Sequence, residues 1–188
     1  MNFNLQPVLE NEWVQLRPLR HEDFETLYQC ASDPLIWEQH PVPDRYQRPV
    51  FEKFFAGAME SGGAFLVINR ATGEAIGTSR YYDIDAGKKS VAIGFTFLVR
   101  ACWGTTYNRA MKQLMLDHAF QFANYVIFHI GPQNIRSQAA ILKLGARKLA
   151  EEEIVNYGSP FPDHYVYMMA KDTWSAIRSS KIVPVTKQ

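Results

Sequence analysis

"FLVRACWGTTYNRAMKQLMLDHAF", residues 97–120, opens like the end of a buried strand and closes like a helix, with Met111, Leu114, Met115, His118 and Ala119 at three- and four-residue steps. Between the two lies "RACWGTTYN", small and hydroxyl-rich, with little to offer a core. A helix N-terminus carries unpaired backbone N–H groups and a partial positive charge, and small residues let a phosphate come close to them. "WGTTYN" therefore suits a pyrophosphate cradle. It suits as well an ordinary strand-to-helix turn in which Gly104 relieves strain and Thr105 or Thr106 caps the helix. Neither GxxxxGK[ST] nor GxGxxG occurs here.

Working outward, the spacing predicts a helix over about 105–124 that follows a strand at 90–99, "SVAIGFTFLV". Upstream, "WVQLRPL" (13–19) alternates as a half-buried strand, and "RHEDFETLYQCASD" switches to helical spacing. Residues 34–49 carry four prolines beside Trp37, His40 and Tyr46, a composition that resists regular structure and suits a loop or lid over a site. "VFEKFFAGAMES" predicts a helix, and "AFLVINRATGEAIGTSRYYDID" predicts two strands joined by a tight turn at "ATGE". Downstream, "YVIFHI" reads as a strand and "QNIRSQAAILKLGA" as a helix closed by Gly145 in a left-handed cap. "RKLAEEEIVNY" and "HYVYMMA" predict two last strands around the turn "GSPFPD". A short helix over 172–180 with Asp172 as N-cap follows, then a loose tail.

Composition narrows the function. At 188 residues one well-filled core is expected, so residues 1–188 read as a single domain in which about 172–188 are the C-terminal helix and tail. With 20 basic against 19 acidic residues, no nucleic-acid stripe or polybasic membrane patch is implied. Cys30 and Cys102 have no CxxC or metal-type spacing, so reduced thiols, a cytoplasmic location and no metal are the expectation. No apolar run is long enough to span a bilayer, and "MNFNLQP" does not resemble an export signal.

A second motif complements the first. "IGPQNIRSQAAILKLGA" places Asn134 and Ser137 at a strand end and helix start, where both can face one cleft or serve as helix caps. Together with "WGTTYN" and the element order, these segments resemble the GNAT superfamily of acyl-CoA-dependent N-acyltransferases, and its ribosomal-protein-alanine acetyltransferase-like branch in particular. The resemblance runs from "VQLRPLRHEDFETLYQCASDP" through "IGFTFLVRACWGTTYNRAMKQLMLDHAF" to "NIRSQAAILKLGA".

That resemblance implies an α+β fold with a twisted, mostly antiparallel sheet of seven strands, splayed centrally and flanked by about four helices, with acetyl-CoA as co-substrate in the opening. It implies that Phe97, Leu98 and Val99 offer backbone groups to the pantetheine arm. Gly104, Thr105, Thr106, Tyr107 and Asn108 match the pyrophosphate loop, Asn134 matches a pantetheine contact, and Ser137 matches the serine that protonates the departing thiolate. Three positions depart from the pattern. Thr106 stands where the loop often has a second glycine, Ala92 where a glutamate often precedes "IG", and Ile141 where many relatives carry a tyrosine acid. These departures motivate a rival reading, a catalytically silent acyl-CoA-binding module.

An alkylamine is protonated at neutral pH, so acyl transfer needs a proton acceptor. His129, on the strand leading to Asn134, has the right intrinsic chemistry, with a structural histidine as the alternative. Glu38, His40, Tyr81 and Asp83 are further candidates for that role, or else surface and packing residues. Cys102 as an acyl-enzyme nucleophile has no partner base in view. Lys112 shares a helix face with Asn108; the expectation is an exposed, solubilising lysine rather than a phosphate ligand. The expected partner is a small-molecule or peptide amine, with no nucleic acid or membrane, and a homodimer is allowed for. Residues 34–49 and "GSPFPDHY" would line the acceptor side.

Overall fold

Eight strands form one sheet in the order β1-β2-β3-β4-β5-β6-β8-β7 in the computed structural model, which describes residues 3–157 and 163–180. The strands are β1 (Leu9–Glu10), β2 (Val14–Pro18), β3 (Ala64–Asn69), β4 (Ala75–Asp85), β5 (Ser90–Leu98), β6 (Tyr125–Ile130), β7 (Arg147–Lys148) and β8 (Tyr165–Ala170). Six α-helices accompany them: α1 (Phe24–Ala31), α2 (Arg48–Glu60), α3 (Tyr107–Ala119), α4 (Ile135–Leu144), α5 (Glu151–Tyr157) and α6 (Lys171–Ser180). Every strand pair is antiparallel except β5 with β6. The expected mixed, mostly antiparallel, splayed sheet is what the chain forms; β1 and β7, two residues each, bring the strand count to eight.

The splay has a definite origin. β5 and β6 pair in parallel only through Ser90, Val91 and Ala92 against Tyr125, Val126 and Ile127. Past Ala92 the register of β5 against β4 slips, with one extra residue between Gly94 and Phe97, and Phe95 takes φ +51° inside that bulge. A bulge bends its strand and increases the local twist. β5 accordingly stays with β4 as far as Leu98 while β6 stays with β8 to Ile130, and a cleft opens between them.

Strand alternation assigns the two faces. On β4, Ser79 and Tyr81 point toward α3, where the Tyr81 hydroxyl donates to the Met115 carbonyl at 2.6 Å. Arg80 and Tyr82 point the other way, and Arg80 Nη1 donates to the Gly57 carbonyl of α2 at 2.9 Å. A large apolar cluster fills the α3 face, including Phe65, Val67, Ile93, Met111, Met115, Leu116 and Trp174. A second, on the α1–α2 face, includes Leu27, Trp37, Phe51, Phe54, Phe55 and Phe97.

Four expectations need correction. The strand expected over 147–157 is only Arg147–Lys148, followed by α5. Three glutamates in its first turn favour a helix N-terminus, and Glu153 accepts from Ala150 N–H at 3.0 Å while pairing with Arg147. α3 spans Tyr107–Ala119 rather than 105–124, because Phe120 already closes it and 121–124 lead into β6 as a turn. α6 begins at Lys171 directly after β8, so Asp172 sits in its first turn and is not its cap. Among the described residues six helices stand in place of about four, α5 and α6 included. Gly145 closes α4 at φ +102°, as expected. The tail at 181–188 and the turn residues 158–162 lie outside the described residues.

Candidate active site

A cavity of about 250 Å³ occupies the cleft between β5 and β6. It reaches from the start of α3, past the bulge, to the segment between α1 and α2 and the start of α4. Seven of the residues expected at the site line it: Phe97, Leu98, Gly104, Asn108, His129, Asn134 and Ser137. Val99, Thr105, Thr106 and Tyr107 do not. Val99 has turned out of the strand into a 3-10 turn over Arg100–Cys102, and Val99 N–H bonds back to the Ile76 carbonyl.

At the α3 end, Gly104 has φ +70°, a conformation that side chains disfavour, and no atom lies within 4 Å of where its Cβ would stand. The turn is thus both glycine-shaped and open. The Thr105 hydroxyl donates to the Cys102 carbonyl at 2.6 Å and ties the loop to itself, while Thr106, the N-cap residue, makes no side-chain capping bond. Among the described residues only Tyr107 of the first-turn N–H groups of α3 meets a side chain, Thr105 Oγ1 at 3.4 Å, so those of Asn108 and Arg109 stand without a side-chain cap near the mouth of the cavity. Trp103 and Arg136 also line this region; the Arg136 guanidinium stacks 3.6 Å from the Trp103 ring centroid and pairs with Glu38 at 3.7 Å. Trp103 belongs to the "WGTTYN" segment, whereas Arg136 was not singled out from sequence, because nothing local shows that its side chain reaches the loop after β5.

The Asn134 side chain is the α4 cap, accepting from Ser137 N–H at 3.1 Å. Ser137 is not the cap, and among the described residues its hydroxyl has no hydrogen bond. Ile141, buried on the same helix, presents hydrocarbon to the cavity. Cys102 also lines it, and burial raises its thiol pKa, which keeps the sulfur protonated and a poor nucleophile.

His129 lies on the opposite face of β6 from Phe128 and Ile130, and its Nδ1 is 2.7 Å from the Tyr82 hydroxyl. Burial raises the Tyr82 pKa, so that hydroxyl keeps its proton at neutral pH. Tyr82 is the partner that sequence could not supply, being 47 residues away and two strands over. Of the other candidates, Tyr81 is fully buried and bonded to a helix carbonyl, Asp83 is exposed, and Glu38 pairs with Arg136. His40 lines the cavity, with Val42 N–H 3.0 Å from its Nδ1 and Arg45 Nη1 3.2 Å from its Nε2.

Lys112 overturns its expectation outright. It is 3% exposed, lines the cavity floor, and donates to Thr96 Oγ1 at 2.7 Å and Ser79 Oγ at 3.1 Å. Burial lowers its pKa to about 7. The helical wheel put Lys112 with Asn108, but only the sheet behind α3 shows that this face is inward. Among the described residues no group of three His, Cys, Asp or Glu side chains is placed to hold a metal, and no helix is long and apolar enough to cross a membrane.

Comparison with known proteins adds the family. A family model described as an acetyltransferase (GNAT) domain matches residues 14–147, well over half the chain. Among solved structures, the chain is similar to a GCN5-related N-acetyltransferase from Brucella melitensis, with TM-score 0.76 and 19% identity over 93% of this chain and 83% of that one. It is similar also to a GNAT-family acetyltransferase from Bacillus anthracis, with TM-score 0.69 and 18% identity over 88% and 99%. A third is Mycobacterium smegmatis RimJ in complex with CoA-disulfide, with TM-score 0.66 and 16% identity over 89% of each chain. No curated protein matches the sequence.

Proposed function

The chain belongs to the GNAT acetyltransferase family, an acyltransferase family whose members use acetyl-CoA, and we propose that it transfers the acetyl group directly to a primary amine, on a small molecule or at a peptide N-terminus. The observation that carries this reading is the end of β5–β6 pairing at Ala92 and Ile127, which leaves one cavity with the start of α3 at one end and His129, in contact with Tyr82, in its lining.

The residues present fit acetyl-CoA. The open, left-handed turn at Gly104 and the first-turn N–H groups of α3 would hold the pyrophosphate, with Asn108 beside them. The β5 stretch through Phe97 and Leu98 and the Asn134 cap line the route for the pantetheine arm. When bound, acetyl-CoA supplies an activated thioester. His129 is the assigned proton acceptor for the ammonium, a role that requires the tautomer in which Nδ1–H donates to the Tyr82 oxygen and Nε2 carries the lone pair. Ser137 is the assigned donor to the departing thiolate, on the strength of its cavity position. Cys102 is not used, so transfer is direct.

A second reading, the silent acyl-CoA-binding module, is favoured by Ile141, which presents hydrocarbon where many relatives place an acid. Binding of acetyl-CoA by calorimetry and thiol release over an amine panel separate the two. Binding with turnover supports the transferase, binding without turnover across the panel supports the silent module, and absence of binding removes both. We assign the ribosomal-protein-alanine acetyltransferase-like branch on the succession of "WGTTYN" and "NIRSQAAILKLGA", a cytoplasmic setting on the two free thiols, Cys30 and Cys102, and leave a homodimer to sizing in solution.

A further inference from the structure

A neutral imidazole has one N–H and one lone pair, and a guanidinium can only donate. Both nitrogens of His40 nevertheless face a donor, Val42 N–H at 3.0 Å and Arg45 Nη1 at 3.2 Å. The backbone N–H of Val42 cannot rotate away, so it takes the Nδ1 lone pair and the ring proton sits on Nε2, directed at Arg45. Protonating the ring only adds a donor, and burial together with Arg45 lowers the His40 pKa to about 3. Two donors thus meet with no acceptor between them.

The charges around this contact are unbalanced in the same sense. Arg45 Nε is buried without a hydrogen-bond partner, and so is Nε of Arg80, which is only 6% exposed. The two guanidinium groups flank the Phe54 ring, at 4.7 and 5.7 Å from its centroid, and Arg80 lies 4.0 Å from that of Phe95. Among the described residues neither forms an ion pair, and Asp44 beside Arg45 is exposed; Arg17, Arg48, Arg100 and Arg136 each have a carboxylate. Uncompensated buried positive charge is costly, and an anion brought by a ligand removes that cost.

From this geometry we propose, taking amine acetylation as above, that the acceptor amine carries a carboxylate, which bridges His40 Nε2–H and the Arg45 guanidinium while Arg80 supplies a second positive charge behind Phe54. The planar guanidinium fork matches a carboxylate. His40 and His129 line one cavity and Arg45, outside that lining, touches it through His40, so amine and carboxylate belong to one small molecule or one peptide terminus whose acid reaches the His40 wall.

The test measures kcat/KM with acetyl-CoA for amino acids, for the same compounds as carboxamides, and for O-phosphoethanolamine. A charge-assisted hydrogen bond should favour acid over carboxamide by roughly 10- to 100-fold. In Arg45→Met, which keeps the aliphatic stem over Trp37 and Phe54, that ratio should collapse toward one; as a ratio it does not depend on how much variant is folded. Arg45→Lys should restore part of it. Equal rates for acid and carboxamide in the parent overturn the subsite while acetyl transfer stands, and a preference for the phosphate-bearing amine overturns the carboxylate assignment. Should no amine be acetylated, the transferase reading fails, and calorimetry with N-acetylglycine against its amide judges the subsite alone. Binding that Arg45→Met abolishes supports it, and equal or absent binding overturns it.

Discussion

Tyr82 and His129 meet across an intervening strand: they belong to β4 and β6, β5 runs between, and hydroxyl and Nδ1 are 2.7 Å apart. Gly94 makes the contact feasible. A Cβ on Gly94 would stand 2.9 Å from the Tyr82 ring and 3.1 Å from its oxygen, so the ring crosses β5 where that strand has no side chain. The pair sits just past Ala92, where the sheet divides.

His129→Gln should lower kcat on the order of 10²-fold with little change in KM for acetyl-CoA, because a proton acceptor acts on the amine and not on cofactor binding. Tyr82→Phe should have a smaller effect in the same direction, because it removes only the group that orients the imidazole. Steady-state kinetics on both variants decide this, and an unchanged kcat in His129→Gln removes the histidine from the mechanism.

Gly94→Ala should displace the Tyr82 ring and so lower kcat as Tyr82→Phe does. Adding Gly94→Ala to Tyr82→Phe should then give much less than the product of the two effects, since both act through one contact. Fully multiplicative losses in this double-mutant cycle would show that the glycine matters for another reason.

Gly104→Val places a branched side chain at φ +70°, which costs about 1–3 kcal/mol of strain and closes the opening at the start of α3. Calorimetry should show weaker acetyl-CoA binding in the folded variant. Parent-like affinity would mean that the pyrophosphate lies elsewhere.

Lys112→Met should stabilise the protein, by about 1–4 kcal/mol, as apolar replacement of buried charge often does. An unfolded lysine keeps its proton to about pH 10.4, whereas the folded Lys112 releases its own near 7. Between those values the unfolded chain binds more protons, so Lys112 destabilises most below pH 7 and its penalty fades as pH rises toward 10. Thermal melts at pH 6 and pH 9.5 should show the gain from Lys112→Met shrinking at the higher pH; a gain that grows with pH contradicts the assignment.

Ser137→Ala and Asn134→Ala should fail in different ways. Asn134 is the cap, so its loss costs roughly 1 kcal/mol of stability and lowers the melting temperature. Ser137, with no hydrogen bond to its hydroxyl among the described residues, should melt normally as alanine but lose kcat, by about 10²-fold if it protonates the thiolate. A lowered melting temperature with unchanged kcat in Ser137→Ala would remove it from the mechanism.

Local pattern carried much of this fold. The strand-to-helix passage at 97–120, the hairpin at "ATGE" and the left-handed glycine at 145 are legible because periodicity and turn chemistry act over a few residues, whereas the clefted sheet is implied by the family resemblance of the two motifs. The same pattern misread 147–157, where the glutamates that make a helix start are set beside strand-like Arg147 and Lys148. What only the folded chain decided is which side chains face each other. Lys112 is interior because α3 lies against Ser79 and Thr96, Tyr82 reaches His129 because Gly94 leaves β5 bare, and Arg45 opposes His40 without an acid because the loop between α1 and α2 folds over Phe54. Those relations join residues tens of positions apart or turn on burial, and burial is a property of what packs against a residue, which its own neighbours in the chain do not encode.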